Sequence, residues 1–291
     1  MAAPELTQRV RAWQREGEQL EFRGRRIHAR VRAGDDPPLV FLHGFPSSSY
    51  DWHGVLAERW PNATLAFDFL GFGLSDKPAD HTYTLAWQAD LTEELVGRLL
   101  PGRAVFLVAH DMGTSVATEL MARELDRKAR IEAPGALLFN GSILLERASP
   151  TIGQKLLRTR LGPAFARLTT APAFRRQLGA VFSPKHPLTR EEAEDQWALI
   201  RWNGGSRIAH RLIHYMDERE RLTDRWHGAF RDWPGKLALA WGLRDPVATP
   251  AVLAGLRELR DAPVTELREL GHYPQIEDAG AMAAAIRAAL P

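Results

Sequence analysis

Residues 103–113 read Arg-Ala-Val-Phe-Leu-Val-Ala-His-Asp-Met-Gly, and no other stretch restricts the fold so tightly. Residues 104–109 are an unbroken apolar run, the composition of a strand buried on both faces of a parallel sheet. A helical pattern begins at once: Val116, Ala117, Leu120, Met121 and Leu125 share one face of residues 114–130. Ala109 and Gly113 stand two positions either side of Asp111. A sharp strand-to-helix bend needs small residues there, because larger flanking side chains would collide. Such a bend raises one side chain above the sheet and sets it at a helix N-terminus, whose field favours an anion. The raised residue is Asp111. Asp is also a good helix cap, so plain capping is the simpler alternative.

The rest of the chain repeats the theme. Residues 4–16 suggest a short surface helix. Residues 19–22 and 26–32 suggest a hairpin turning at Arg23-Gly24-Arg25. Further buried strands are expected at 39–42, 63–68, 136–139, 237–241 and 264–267, and a helix at 84–100. A last helix is capped by Asp278, with Met282, Ile286 and Leu290 inward. Strands alternating with helices imply an α/β fold, a mostly parallel sheet covered on both faces. Nearly a hundred residues before 237 carry helical periodicity only, chopped by prolines at 150, 163, 172, 184 and 187 and by Gly204-Gly205. They read as a helical cap, residues 143–231, inserted into a core domain of residues 1–142 and 232–291.

Charge and composition exclude several function classes. Lys and Arg number 38 against 36 Asp and Glu, a net charge of +2, and no basic run tracks a phosphate backbone, so nucleic acid is not an expected partner. The surplus is uneven: residues 143–235 hold 16 basic and 10 acidic side chains. The absence of cysteine removes thiolate chemistry and fits a reducing compartment. No apolar run is long enough to span a bilayer, and no signal-type apolar core opens the chain. A cytoplasmic monomer or homodimer is expected, with no cofactor or metal.

A nucleophile needs a base and a group that orients the base. The loop after residues 237–241 offers Asp245, and the loop after 264–267 offers His272. Both fall at the carboxyl ends of strands, in the order nucleophile, acid, histidine expected of an α/β-hydrolase.

With His43-Gly44-Phe45-Pro46 and the loop Gly71-Phe72-Gly73-Leu74-Ser75-Asp76, these features resemble the α/β-hydrolase superfamily. The resembling branch has an aspartate nucleophile and holds epoxide hydrolases and haloalkane dehalogenases. Ser48-Ser49-Tyr50-Asp51-Trp52, Asn140-Gly141 and Pro274-Gln275 further resemble the mesoderm-specific transcript group and its bacterial relatives. The resemblance implies attack by Asp111 on an electrophilic carbon to form an alkyl-enzyme ester, which His272, oriented by Asp245, hydrolyses. The backbone N–H groups of Met112 and Phe45 would hold the oxyanion, Pro46 having none to give. His43 would brace its loop.

Dehalogenases hold the departing halide with side-chain N–H donors, and neither Met112 nor Phe45 supplies one. Epoxide hydrolases use cap tyrosines to protonate the opening oxygen, and Tyr215 is the only tyrosine in the insertion. A second tyrosine is missing, so His210, His214 or Trp202 is a substitute donor, and Trp197, Trp202 and His214 are candidate pocket residues. Epoxide hydrolysis is the leading expectation that the resemblance implies, with water and a small, apolar-to-amphipathic organic substrate as the partners. Dehalogenation and a binding or scaffold role with little turnover are the alternatives.

Overall fold

The uninterrupted apolar runs become the middle of a sheet. The computed structural model describes residues 5–291. Its strands are β1 (Glu18–Phe22), β2 (Arg25–Arg32), β3 (Asp35–Leu42), β4 (Asn62–Phe67), β5 (Phe106–His110), β6 (Gly135–Phe139), β7 (Lys236–Gly242) and β8 (Val264–Leu267). They form one eight-stranded sheet in the order β1-β2-β4-β3-β5-β6-β7-β8. The β1–β2 and β2–β4 pairs are antiparallel and the remaining pairs parallel. Arg23 and Gly24 both take positive φ, 49° and 73°, in the β1–β2 turn, as a tight right-twisted hairpin requires.

Side chains alternate across the central strands, and each face builds its own core. Val40, Leu42, Leu107, Ala109, Ala136, Leu138, Leu237 and Leu239 face one cluster. Leu39, Phe41, Phe106, Val108, Leu137, Phe139, Ala238 and Ala240 face the other. Before the insertion α2 (His53–Ala57), α3 (Leu85–Leu99) and α4 (Met112–Leu125) cover them, preceded in the chain by α1 (Gln8–Arg15). The helix after the elbow is shorter than its apolar periodicity suggests. Arg127 turns left-handed at φ 57° and the chain leaves the helix, so Leu125 at its end is exposed and does not join the core.

Between β6 and β7 the described chain has no strand. It runs through α5 (Ile152–Leu157), α6 (Gly162–Leu168), α7 (Ala171–Gly179), α8 (Arg190–Arg201), α9 (Ala209–Leu212), α10 (Tyr215–Arg221) and α11 (Thr223–Asp232). Pro163 and Pro172 sit in the first turns of α6 and α7, where a missing N–H costs nothing. The chain closes with α12 (Pro250–Leu259), α13 (Pro274–Glu277) and α14 (Ala279–Ala289). Asp278 caps α14 through Ala281 N–H, and Met282 and Ile286 are buried, with Leu290 half-buried at its end.

The first helix is not merely superficial. Val10 and Trp13 of α1 pack with Tyr50, Leu74 and Leu199; residue 4, the expected start, lies outside the described residues. A buried polar network ties α8 to this region. Asp195 accepts from Tyr50 Oη at 2.6 Å, from Thr7 Oγ1 and from Arg9 Nε at 2.8 Å. Gln196 Nε2 donates to Asp51 Oδ1 at 2.8 Å and to Glu192 Oε1 at 3.0 Å, while the Ser47 hydroxyl donates to the other Asp51 oxygen. Burial holds the Asp51 carboxyl well above the ordinary carboxylate range.

Candidate active site

β5 ends at His110 and α4 begins at Met112, so Asp111 alone makes the bend. It does so at φ 44° and ψ −110°, a strained conformation for a residue with a Cβ. The small neighbours are needed for contact with the adjacent loop. A Cβ on Gly113 would lie 2.3 Å from the Leu42 carbonyl oxygen, and one on Gly44 would lie 2.8 Å from Asp111 Cβ. The Asp111 carboxylate does not cap α4. Its Oδ2 accepts the Phe45 N–H at 2.9 Å, and its Oδ1 lies 3.7 Å from Arg219 Nη2. Met112, first residue of α4, has one of the N–H groups that a helix start leaves without an internal partner.

Arg219, from α10, is the residue that reasoning from sequence missed. Its Nε donates to Ser115 Oγ at 2.8 Å and its Nη2 to the Asp111 carbonyl at 3.0 Å, and its guanidinium lies 4.7 Å from the Tyr215 ring centre. Arg219 and Asp111 are both buried. Burial pushes the Asp111 carboxyl up, but Arg219, then His272 and His110, and the Phe45 N–H outweigh it, and the carboxyl sits below its usual value. The available signal was spacing. Arg219 follows Tyr215 by four residues, one helical turn, and so shares its face.

His272 and Asp245 come together as their strands suggest. His272 Nδ1 donates to Asp245 Oδ2 at 2.7 Å, which leaves Nε2 as the free ring nitrogen. Asp245 is fixed in turn: Oδ1 accepts from Val247 N at 2.6 Å and Ala248 N at 3.0 Å, and Oδ2 from Asn140 Nδ2 at 2.8 Å. Asn140, at φ 42° just past β6, also binds the Gly242 N–H and carbonyl. Burial lowers the His272 pKa, but the Asp245 carboxylate and its hydrogen bond, with Asp111 behind them, raise it above 6.5 overall.

Two further histidines hold loops. His110 Nε2 donates to the His272 carbonyl at 2.7 Å and its Nδ1 accepts from Gln275, with burial driving its pKa down to about 3. His43 Nδ1 donates to the Gly44 carbonyl at 2.8 Å and its Nε2 accepts the Phe69 N–H at 3.0 Å. Both rings are therefore neutral braces.

Tyr215 is buried on α10, 5.7 Å from the Phe45 ring centre; burial and the charge of Asp111 hold its phenol protonated far above neutral pH. Tyr215, Asp111, Arg219 and Gln154 border a narrow cleft of about 10 Å³, roughly the space of one water. Beside it lies a larger, mostly apolar cavity of about 130 Å³, bordered by Phe45, Val181, Trp197, Ile200, His272 and Tyr273. Gln154 and Val247 border both.

Two expected pocket residues lie elsewhere. Trp202 follows the end of α8, where the chain turns at Asn203 with φ 51°, and packs towards the α1 cluster. His214 precedes α10, about 100° round from Tyr215, and is half-exposed, paired with Asp217. His210 on α9 borders neither cavity; its neighbour Ala209 borders the larger one.

Comparison with known proteins agrees with this architecture. Residues 39–285 match the model of the alpha/beta hydrolase family. The chain is 52% identical over 269 residues to the LipZ protein of Mycobacterium tuberculosis, covering 92% of this chain and 93% of that protein. It is 35% identical to the mesoderm-specific transcript protein of Mus musculus, covering 94% and 86%. Among solved structures, the haloalkane dehalogenase DatA of Agrobacterium tumefaciens superposes with a TM-score of 0.77 over 94% of each chain at 21% identity, a likeness of fold. By family match and sequence identity together, the chain belongs to the alpha/beta hydrolase family and is a hydrolase.

Proposed function

We propose that the protein hydrolyses epoxides to vicinal diols through a covalent ester on Asp111, with residues 143–231 serving as a cap over a core of residues 1–142 and 232–291. The observation that carries this reading is the cleft that holds the Asp111 carboxylate, the Tyr215 phenol and the Arg219 guanidinium together. An Asp111 oxygen attacks the less hindered epoxide carbon; the new C–O bond forms as the ring C–O bond breaks. The ring oxygen takes its proton from Tyr215, and Arg219 beside it keeps Asp111 ionised and stabilises developing negative charge. Arg219 thus fills the place of the missing second tyrosine, by charge and without proton transfer.

In the second step His272 removes a proton from water, and the hydroxide adds to the Asp111 carboxyl carbon. The oxyanion falls on Oδ2, which already accepts the Phe45 N–H, with the Met112 N–H as second donor. Collapse expels the alkoxide, which takes the proton from His272; Asp111, left as the carboxylic acid, gives up its proton and Tyr215 regains one, through solvent. Esterification removes the Asp111 charge, one of the influences that raise the His272 pKa, so the base becomes more available once it is needed. Halide release fits less well, since neither Met112 nor Phe45 offers a side-chain N–H.

The test is one turnover of a small aryl or alkyl epoxide in ¹⁸O-water. The diol should carry an unlabelled oxygen from Asp111, and the label should appear in the Asp111 peptide. Label in the first-turnover diol, halide release from haloalkanes without diol formation, or no turnover of either class would overturn the reading.

Two further outcomes follow from this geometry. Tyr215→Phe should lower kcat for epoxide opening by at least about tenfold, the lower range for a lost general acid; an unchanged rate of diol formation removes Tyr215 from the mechanism. The two steps should also differ in pH response. Hydrolysis needs neutral His272, whose pKa the Asp245 carboxylate still raises in the ester, so that step is lost as pH falls through the histidine range. Ester formation needs ionised Asp111, whose pKa is lowered, so it persists to more acidic pH. Rapid-quench measurement of both steps across pH checks this, and a shared midpoint would contradict it.

A further inference from the structure

Six large apolar side chains are exposed among the described residues, and four of them, Ile152, Leu156, Leu161 and Leu168, fall between 152 and 168. Ile152, Leu161 and Leu168 are 78%, 69% and 77% exposed. Ile152 and Leu156 are four apart on α5, and Leu161 and Leu168 seven apart at the two ends of α6, so each pair lies on one helix face. Gly153, Gln154, Leu157 and Phe165 of the same helices border the larger cavity instead. The apolar rows are thus the outer side of the helices that roof it.

The charge carried by the surrounding segment has one sign. Residues 147–190 contain nine Lys and Arg and no Asp or Glu. Arg147, Arg158, Lys185 and Arg190 have acidic partners elsewhere. Lys155, Arg160, Arg167, Arg175 and Arg176 are exposed and have none among the described residues. Three of these interleave with the apolar side chains: Lys155 with Leu156, Arg160 with Leu161, Arg167 with Leu168.

We propose that this face docks on the headgroup region of an anionic phospholipid bilayer. The four apolar side chains enter the acyl boundary and the unpaired cations meet lipid phosphates, the arrangement of a surface that lies on a membrane. No helix among the described residues is long and apolar enough to cross one. A second copy is the poorer occupant, because pairing this face with itself would bring its unpaired cations together. Docking places the cavity roof against the bilayer, from which an apolar substrate is drawn. The docking does not rest on the identity of the reaction.

The test is co-sedimentation of the full chain with vesicles of phosphatidylcholine alone, or of phosphatidylcholine and phosphatidylglycerol in equal parts. Binding is expected to the anionic vesicles and should weaken as salt screens it. Leu161→Ser with Leu168→Ser should reduce it by at least about tenfold, the effect of withdrawing one to two leucines from an apolar phase. Arg160→Gln with Arg167→Gln should reduce it by roughly twentyfold, about fivefold for each surface cation. Turnover of a dissolved substrate should be unchanged in both variants, which also verifies that they fold. Absent binding by the parent protein, or binding that both variants retain in full, would overturn the proposal. So would a solution dimer that only the leucine variant dissociates, which would make the face a self-association surface.

Discussion

His272→Gln protein mixed with a reactive epoxide is expected to gain the mass of one substrate molecule and to keep it. The substitution removes the base that activates water, while the Asp111 bend, the Phe45 donor and Arg219 do not depend on the imidazole. Ester formation should therefore proceed, and hydrolysis should slow by a factor on the order of a hundred or more, the usual contribution of a general base. Glutamine also retains an amide donor towards Asp245, so that carboxylate is not left buried without a partner. Intact-protein mass spectrometry should show the adduct and peptide mapping should assign it to Asp111. Asp111→Asn should show none. An adduct on Thr114, Ser115 or a histidine would mean that the attacking atom has been misassigned. A folded His272→Gln protein that forms no adduct with any epoxide or haloalkane in a broad panel would favour a binding role with little turnover.

The second large effect is expected at Arg219. Burial acts on Asp111 in the direction of protonation, and Arg219 is foremost among the groups that oppose it. In Arg219→Met the carboxyl should rise towards or past its ordinary range, and the pH at which ester formation is lost should move up with it. The rate at neutral pH should fall by roughly a hundredfold, comparable to losing one preorganised electrostatic contact. Stability should fall too, by about 3 kcal/mol or more, as when one partner of a buried charge pair is removed. Arg219→Lys separates the two effects. It keeps the charge, so the pH at which ester formation is lost should return towards that of the parent, even if the bonds to Ser115 and the Asp111 carbonyl are only partly restored. Denaturant titration gives the stability and single-turnover rates across pH give the ionisation. An Arg219→Met protein with an unchanged pH dependence would show that Arg219 only holds α10 in place.

How much could be read without coordinates depended on whether the information was local. Buried parallel strands are continuous apolar runs, so β3, β5, β6 and β7 were visible. The bend at Asp111 was visible because its steric demand falls on residues two positions away. Asp245 and His272 were legible as loop residues at strand ends, a placement fixed by topology. Arg219 and Gln154 carry no such mark, and Asn140 was marked only by resemblance, with no role attached. Each is an ordinary polar residue in its own segment and acquires its position only when elements far apart in sequence meet. Asn140 is an example: it joins the end of β6 to Asp245, 105 residues later. The insertion misled for the same reason. Trp202 and His214 have the chemistry of pocket residues, but short helices separated by breaks lose rotational register. Trp197 stays on the cavity side, its ring tilted against that of Phe174 at 5.2 Å, while Trp202, five residues on and past a break, packs towards the α1 cluster.

The buried network between α8 and residues 7–51 gives the molecule a mechanical asymmetry. Lifting α8 would strip Asp195 of three partners and part Asp51 from the Gln196 amide. Each buried polar group left unpaired costs about 1–3 kcal/mol. On the opposite side α5 packs on α6 and α6 on α9, and α5 carries no buried residue. Motion that widens the cavity therefore falls on α5 and α6, with α8 as the stationary axle. A disulfide stapling α8 to the core should leave exchange with the cavity unchanged, whereas one restraining α5 should slow it.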